Sequence, residues 1–336
     1  MRAPITIATV GMMTFFLSAN HLLAQETDAT RAAIVKSLAL LEKSAAETTK
    51  HRKCFTCHHQ AMPVLALTTA KAHGFDVNDK EVERQVKWTA DFLGKNREEY
   101  LKGKGQGGQA DTAGYALWTL DAGGWKADDT TGAVVEYLLQ RNKDRDHWLP
   151  VSNRPPTEAS ALTTTYVVLR GLKKYGSSAK EKDIEARLEK TRKWLEAVKA
   201  KDTEERVFRL RALELIGAKA DTIQSAADEL AKTQRDDGGW SQIDKLDSDA
   251  YATGSVLAAL HQAGGLATTD DVYRRGVKFL LKTQKDDGSW HVVSRSKPFQ
   301  TYFETGFPHG KDQFISAAAS SWATIALTLA VKTGER

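Results

Sequence analysis

The sequence predicts an all-α protein built from repeated helical hairpins. Apolar residues recur at helical spacing along most of the chain, as at Ile34, Leu38 and Leu41. Charged, one-sided helices alternate with helices rich in Ala, Thr, Ser and Gly that carry few charges in their middle. Because a helix that is apolar nearly all round is a buried one, we expect the second kind to form an inner layer. A motif repeated fifty residues apart, at 234–240 and 284–290, indicates stacked repeats.

Six helices of each kind follow from this reading. The predicted outer, charged helices cover residues 32–46, 82–92, 134–138, 184–194, 220–234 and 272–284. The predicted inner helices cover residues 61–73, 111–120, 158–172, 204–216, 249–261 and 315–332. Each outer helix precedes an inner one, so the chain is expected to form six hairpins.

The repeated motif predicts the corner of each hairpin. It reads Gln-Arg-Asp-Asp-Gly-Gly-Trp at 234–240 and Gln-Lys-Asp-Asp-Gly-Ser-Trp at 284–290, with a degenerate copy from Gln140 to Trp148. The glycine after each Asp pair is expected to cap the outer helix with a positive φ angle. The Trp is expected to close over the corner, so these motifs are interpreted as scaffold.

This motif resembles the repeat of squalene–hopene cyclases and the related terpenoid cyclases and prenyltransferases. Thr305-Gly-Phe-Pro308, followed by Phe314, is similar to the last repeat of those cyclases. The resemblance covers residues 30–336 and implies an (α/α)6 toroid of six inner and six outer helices. In such a ring, all loops from an outer to an inner helix lie at one end.

The N-terminus is typical of a secretory signal peptide. Arg2 precedes an apolar run over 5–17, and Ala24 offers a small residue at a cut site. We predict a signal peptide at 1–24 and a single toroid domain at 25–336, exported to the periplasm or the extracellular space. An uncleaved anchor is the alternative, and no stable membrane span is expected after signal cleavage. The formal charge of +5, without a basic cluster among aromatics, argues against a nucleic-acid partner.

The only two cysteines stand in Cys54-Phe-Thr-Cys57-His58, the C-x-x-C-H signature of c-type haem attachment. The hypothesis is a haem c linked through Cys54 and Cys57, with His58 as axial ligand. It predicts electron transfer with a redox partner, or oxidation of a small apolar or isoprenoid-like substrate. Loop histidines at the same end are candidate metal or iron ligands; the full set is His58, His59, His147, His291 and His309.

Three alternatives for this motif stay open. A Cys54–Cys57 disulfide would suit an oxidising compartment and a binding or interaction module without enzymatic activity. Zinc could be held by both thiolates and one or two histidines. The fold resemblance adds a third: complement-type thioester domains carry a C-x-x-Gln thioester at an inner helix, and Cys57 with Gln60 is similar in spacing.

The chain departs from the cyclase acid motif. Asp111-Thr-Ala113 resembles the end of the Asp-x-Asp-Asp-Thr-Ala motif, but Ala110 stands at the position of the acid. This argues against proton-initiated cyclisation, and no catalytic residue is assigned. Asp111 and Asp249 are interpreted as helix N-caps. Alternatively, they are paired rim carboxylates of a polysaccharide lyase or hydrolase.

Overall fold

The structure, a computed structural model, describes residues 10–297 and 302–331, with side chains from Gln25 onward. The described residues form thirteen α-helices and no β-strand, apart from one isolated bridge between Arg154 and Glu158. The predicted all-α class is therefore confirmed.

The helices form an outer and an inner layer. The outer helices are α1 (Val10–His51), α3 (Asp79–Lys95), α6 (Asp129–Gln140), α8 (Glu181–Ala197), α10 (Ala220–Ala231) and α12 (Asp271–Thr283). The inner helices are α2 (Met62–Ala72), α5 (Gln109–Ala122), α7 (Ala161–Tyr175), α9 (Thr203–Leu215), α11 (Ala250–Gln262) and α13 (Gln313–Ala330). A short α4 (Arg97–Leu101), which the sequence pattern did not predict, lies between α3 and α5.

The inner helices close into a ring. Each inner helix contacts the next one along the chain, and α13 contacts α2. The ends of the chain are joined by hydrogen bonds: Thr324 Oγ1 donates to Ser37 Oγ at 2.8 Å, and Gln284 Nε2 donates to the Ala33 carbonyl at 2.9 Å. The (α/α)6 toroid is confirmed.

Three outer-to-inner corners share one construction. The indole N–H of Trp148, Trp240 or Trp290 donates to a carbonyl of the preceding outer helix, at 2.8, 3.2 and 2.8 Å. All three Trp side chains are fully buried. The segment ending at Trp148 is thus a true copy of the repeat, as expected.

The repeat glycine acts differently from the prediction. Gly238 and Gly288 have φ angles of +85° and +87°, as expected. They do not cap a helix, because α10 ends at Ala231 and α12 at Thr283. Gly238 instead closes a tight turn in which its N–H donates to the Arg235 carbonyl at 2.9 Å. The positive φ is needed for the turn between helix and Trp.

One described helix is long and apolar enough to cross a membrane. It spans Gly310–Ala330. Most of it, 83% of the apolar window, is buried within the ring, so it serves as a core helix here. Near the N-terminus, α1 runs without a break through the predicted signal cleavage site, and residues 1–9 lie outside the described part.

Aromatic side chains pack across the middle of the ring. Trp118 of α5 lies 6.3 Å from Trp322 of α13, although these helices are not neighbours in the ring. Tyr115 and Tyr251 are fully buried, and Tyr166 packs edge-on against Trp118 at 5.4 Å. Packing therefore fills the middle of the lumen, and the aromatic residues of the inner helices belong to the core.

Candidate functional site

A cavity of about 330 Å³ lies at the end of the toroid where outer helices lead into inner ones. It is referred to below as the rim cavity. Phe314, Ile315 and Ala318 give it an apolar wall, and Lys297 and Lys311 place cationic side chains along it. This volume lies at the lower end of the range typical of small-molecule sites.

The cysteine corner, residues 54–60, borders this cavity. Its second half is a single π-helical turn, Cys57–Ala61, that leads directly into α2. The Gln60 side chain stabilises the turn, because its Oε1 accepts from the Thr56 N–H at 2.8 Å. π-turns are rare and frequently occur at functional sites. Cys54 is exposed and Cys57 is buried, and both are free thiols, so the structure contains no Cys54–Cys57 disulfide.

Cys57 lies beside two charged side chains. Burial raises the pKa of its thiol to about 12, and the nearby charge of Asp111 acts in the same direction, while Arg154 opposes it. The thiol is therefore protonated at neutral pH. A protonated thiol is a poor nucleophile and a poor zinc ligand.

His58 lines the rim cavity. Its ring packs against Phe314 at 4.9 Å, and its Nδ1 lies 2.9 Å from His59 Nδ1. Burial, together with the charge of Arg154, lowers the pKa of His58 to about 3. Arg154 itself forms an ion pair with Glu158 in the cavity wall. His58 is thus a neutral imidazole with one nitrogen engaged.

Three further predicted histidines lie near this end. His59 is fully buried, with its Nε2 3.0 Å from Thr305 Oγ1. His291 and His309 stack at 4.5 Å, and His291 Nε2 pairs with Asp312, which lines the cavity. Phe307 lies between the two pairs, 6.1 Å from His59 and 6.5 Å from His309.

His147 is separate from the other four. Its ring stacks on Trp194 of outer helix α8 at 4.3 Å and does not line the cavity. Within the described ranges, no three His, Cys, Asp or Glu side chains are grouped so that they could hold a metal ion. The five predicted histidines therefore do not form one metal centre, because they divide into two pairs and one isolated ring.

Gln60 is engaged away from the cysteines. Its amide donates to Gln85 Oε1 at 3.2 Å and accepts from Thr56, and the side chain is fully buried. The predicted thioester with Cys57 would need this amide to leave both partners. The Cys57–Gln60 thioester stays a prediction, and the hydrogen bonds of Gln60 to Thr56 and Gln85 do not support it.

The two predicted rim carboxylates differ. Asp249 is the N-cap of α11, since its Oδ1 accepts from the Ala252 N–H at 2.9 Å. Asp111 is not an N-cap, which corrects that interpretation: Gly108 has this position, and Asp111 Oδ1 accepts from Thr164 Oγ1 at 2.5 Å. Burial raises the pKa of both carboxyls to about 6. They belong to non-adjacent inner helices and have different partners, so they do not form a pair.

Sequence reasoning missed a third buried carboxyl, Glu204, at the start of α9. Its two oxygens accept from Thr163 Oγ1 at 3.1 Å and Tyr251 Oη at 3.0 Å. Burial raises its pKa to about 8, so it is neutral at pH 7. The sequence feature that could have indicated Glu204 is an acidic residue at the start of a helix predicted to be buried. Arg154 was also missed, because nothing in the local pattern of its loop relates it to residue 57.

Comparison with known proteins gives a family match for part of the chain. Residues 203–316 match the squalene-hopene cyclase C-terminal domain. A search of curated proteins gives no significant match.

Solved structures similar to the whole chain include several of the type II terpene cyclase MstE from Scytonema. An Asp-to-Asn variant with geranylgeranyl dihydroxybenzoate, its substrate, has a TM-score of 0.61 and 13% identity, covering 92% of this chain and 100% of that one. An Asp-to-Ala variant with merosterolic acid A, its product, has a TM-score of 0.60 at the same identity and coverage. The apo enzyme has a TM-score of 0.56 and 16% identity, covering 90% and 98%.

The similar solved structures show a shared fold over most of the chain. The family match adds a similarity in sequence over residues 203–316. The chain is a terpene-cyclase-like helical toroid whose residues 203–316 are similar to the C-terminal domain of squalene-hopene cyclases.

Proposed function

We propose that this protein carries a c-type haem at the rim cavity and acts in electron transfer or in the oxidation of a small apolar substrate. The haem would be attached through Cys54 and Cys57, with His58 as axial ligand. The observation that carries the proposal is the position of His58: the histidine of the C-x-x-C-H motif lines the rim cavity.

Several residues of the rim cavity would suit such a group, and the two cysteines lie next to the cavity in sequence without lining it. Both cysteines are free thiols, and one of them is already exposed. The apolar wall of Phe314, Ile315 and Ala318 suits a flat, apolar macrocycle, and Lys297 and Lys311 suit its two acidic side chains. When bound, haem supplies one-electron chemistry at its iron.

The chain's own residues keep His58 suited to this role. Burial and, to a smaller extent, the positive charge of Arg154 disfavour protonation of His58, and Phe314 packs against the ring and so restricts its orientation. Arg154 is in turn held by Glu158. These contacts support a neutral imidazole at the cavity wall, the form that binds iron.

Other functions have less support. Zinc is disfavoured by the raised pKa of the Cys57 thiol and by the lack of a three-ligand group among the described side chains. Cyclisation of a long isoprenoid is disfavoured by the packed middle of the lumen, although MstE structures hold an isoprenoid substrate and product. The separation of Asp111 from Asp249 weakens the lyase or hydrolase alternative. A small isoprenoid-like ligand remains compatible with the apolar cavity wall.

The proposal includes export. Covalent attachment of haem c takes place outside the cytoplasm, and the predicted signal peptide at 1–24 would bring the chain there. A redox partner in the same compartment is part of this proposal.

The test is expression of the full chain in a host that attaches haem c. We expect an exported protein whose mass exceeds the mature chain by one haem and whose spectrum has a Soret band that survives denaturation. A Cys54→Ser, Cys57→Ser double variant is the control and should have neither. A wild-type protein with the mass of the bare mature chain would overturn the proposal.

A further inference from the structure

A chain of hydrogen bonds leads from His58 into the protein. His58 Nδ1 contacts His59 Nδ1 at 2.9 Å, and His59 Nε2 contacts Thr305 Oγ1 at 3.0 Å. Thr305 Oγ1 donates to Gln313 Oε1. His59, Thr305 and Gln313 are fully buried, so each proton in the chain must have a defined place.

Two backbone groups define the direction of this chain. Gln313 Nε2 lies 2.7 Å from the Phe303 carbonyl, which only accepts, and Gln313 Oε1 lies 3.1 Å from the Thr305 N–H, which only donates. The orientation of the Gln313 amide is therefore determined. Its Oε1 is an acceptor, so the hydroxyl proton of Thr305 points to Gln313.

The same reasoning assigns both imidazoles. Since the Thr305 hydroxyl has used its only proton, Oγ1 accepts from His59, and the Phe307 N–H also donates to it at 3.3 Å. His59 Nε2 is therefore protonated. Among the described residues, no hydrogen bond or ion pair to a carboxylate offsets a charge on fully buried His59, so the ring is neutral and its Nδ1 is an acceptor. The proton between the two histidines then belongs to His58 Nδ1.

We propose that His59, Thr305 and Gln313 are positioning residues that hold His58 in its Nδ1–H tautomer, so that His58 Nε2 presents a free lone pair at the rim cavity. Within the described part of the chain, His58 Nε2 makes no hydrogen bond, and the ring lines the cavity. A hydrogen bond from the other ring nitrogen is how proteins orient a ligating histidine and raise its basicity.

The assignment of the tautomer stands without any cofactor, whereas the use of the lone pair as an axial iron ligand rests on the proposed function. The arrangement also explains why the motif reads Cys-His-His: the second histidine is the acceptor that the first one needs. The direction of the hydrogen bond between the two histidines is set by Gln313, more than 250 residues further along the chain.

The test uses haem-free, full-length protein with isotope-labelled histidine. A long-range proton–nitrogen NMR spectrum distinguishes protonated from unprotonated ring nitrogens, and a His58→Gln variant assigns the His58 signals. We expect His58 to have a protonated Nδ1 and an unprotonated Nε2. A protonated Nε2 in the wild type would overturn the inference, even if no variant folds.

A matched pair of variants tests the relay. Thr305→Val removes the acceptor of His59 without changing the side-chain shape, so the His59 proton should move to Nδ1 and His58 should switch to the Nε2–H tautomer. Thr305→Ser keeps the hydroxyl and should keep the wild-type tautomer. An unchanged His58 tautomer in Thr305→Val would contradict the role of Thr305.

The haem-loaded protein gives an independent readout. Thr305→Val should shift the Soret band relative to Thr305→Ser, because the tautomer that it favours has its proton on Nε2 and so offers iron no lone pair at that nitrogen. Failure of haem attachment in the wild type would refute the proposed function and leave the tautomer intact, so the two failures are distinguishable. An identical Soret band in both loaded variants would count against axial ligation by His58.

Discussion

Four of the six outer-to-inner corners of the ring are of two kinds. Three of them bury a Trp whose indole N–H donates to a carbonyl of the preceding outer helix. The backbone N–H of the same Trp donates to a hydroxyl of the following inner helix, as from Trp240 to Thr253 at 2.9 Å. The cysteine corner occupies the same place in the first hairpin but has no Trp and a π-turn instead. It presents His58 to a cavity, whereas the Trp side chains of the other three corners are fully buried.

This difference shows where the toroid can accommodate function. At the Trp240 corner the Gln of the repeated motif also has a structural role: Gln234 Nε2 donates to the carbonyls of Gly238 and Val272, at 2.9 and 2.8 Å, and so links successive outer helices. Such a corner is defined by packing. The cysteine corner breaks the repeat, and its ligand-type side chains take the place of the structural ones.

The largest expected effect concerns the Trp corners. Trp240→Ala should lower the free energy of unfolding by about 3–5 kcal/mol, because it empties a fully buried site and removes an indole hydrogen bond. Denaturant unfolding measures it. Trp125→Ala is the control: this Trp is only half-buried, with its N–H bonded to Asp128, and should cost less. Equal costs would remove the distinction between corner and surface Trp.

A second prediction concerns a buried carboxyl outside the cysteine corner and its effect on the free energy of unfolding. Because burial raises the pKa of Glu204 to about 8 from 4.5, the folded state keeps a proton that the unfolded chain has lost. Stability should therefore fall as pH rises from about 4.5 to 8, by an amount on the order of 3 kcal/mol. Glu204→Gln should remove the share of this fall that is due to Glu204 and leave the share due to Asp111 and Asp249, whose pKa values burial raises to about 6.

The measurement is the unfolding free energy of both proteins across that pH range. Glu181→Gln, at an exposed position of α8, serves as the control and should follow the wild type. A Glu204→Gln profile parallel to the wild type would show that this carboxyl does not titrate as its environment implies.

A third prediction concerns the repeat glycine. Gly288 has a φ of +87°, and a Cβ there would lie 2.7 Å from backbone atoms of Lys36 in the first outer helix. Gly265 has a φ of +71° but open space around it. Gly265→Ala should cost about 1–2 kcal/mol from backbone strain alone. Gly288→Ala should cost more in the same thermal or denaturant assay, since it also disturbs ring closure; equal costs would contradict this contact.

The smallest expected effect lies at the cysteine corner. Cys54 is exposed, so Cys54→Ser should change the free energy of unfolding of the haem-free protein by no more than about 0.5 kcal/mol. Calorimetry of wild type and variant measures it. A loss comparable to that of Trp240→Ala would mean that this corner is structural after all, and would weaken the contrast between the two kinds of corner.

Much of the fold was predictable because its signals are local. Helical periodicity identified four of the six outer helices within a few residues, and the repeated Gln-to-Trp motif predicted the corners. The predicted span of the first, 32–46, is too short, since α1 covers Val10–His51. The third was recognised as a helix, but its predicted span of 134–138 is too short, since α6 covers Asp129–Gln140. The prediction that Asp111 is the N-cap of its helix was wrong, because the N-cap is Gly108, three residues earlier, with a φ of +78°.

The candidate site was predictable only in part. The C-x-x-C-H motif marks Cys54, Cys57 and His58 by spacing alone, but the sequence assigned His147 to the same group, and the structure stacks it on Trp194. Glu204 and Arg154 could not be found in this way, since an acid at a helix start or an Arg in a loop is ordinary.

The sequence by itself determined that the chain forms alternating one-sided and buried helices and that one hairpin carries a C-x-x-C-H motif, because both depend on spacings of a few residues. Only the tertiary structure decided what faces His58. Arg154, Lys311 and Phe314 come to its cavity from loops and helices that are far apart in sequence, and they meet because the ring closes through contacts between α13 and α2. The proton on His58 is likewise assigned by Gln313, through bonds that exist only in the closed ring.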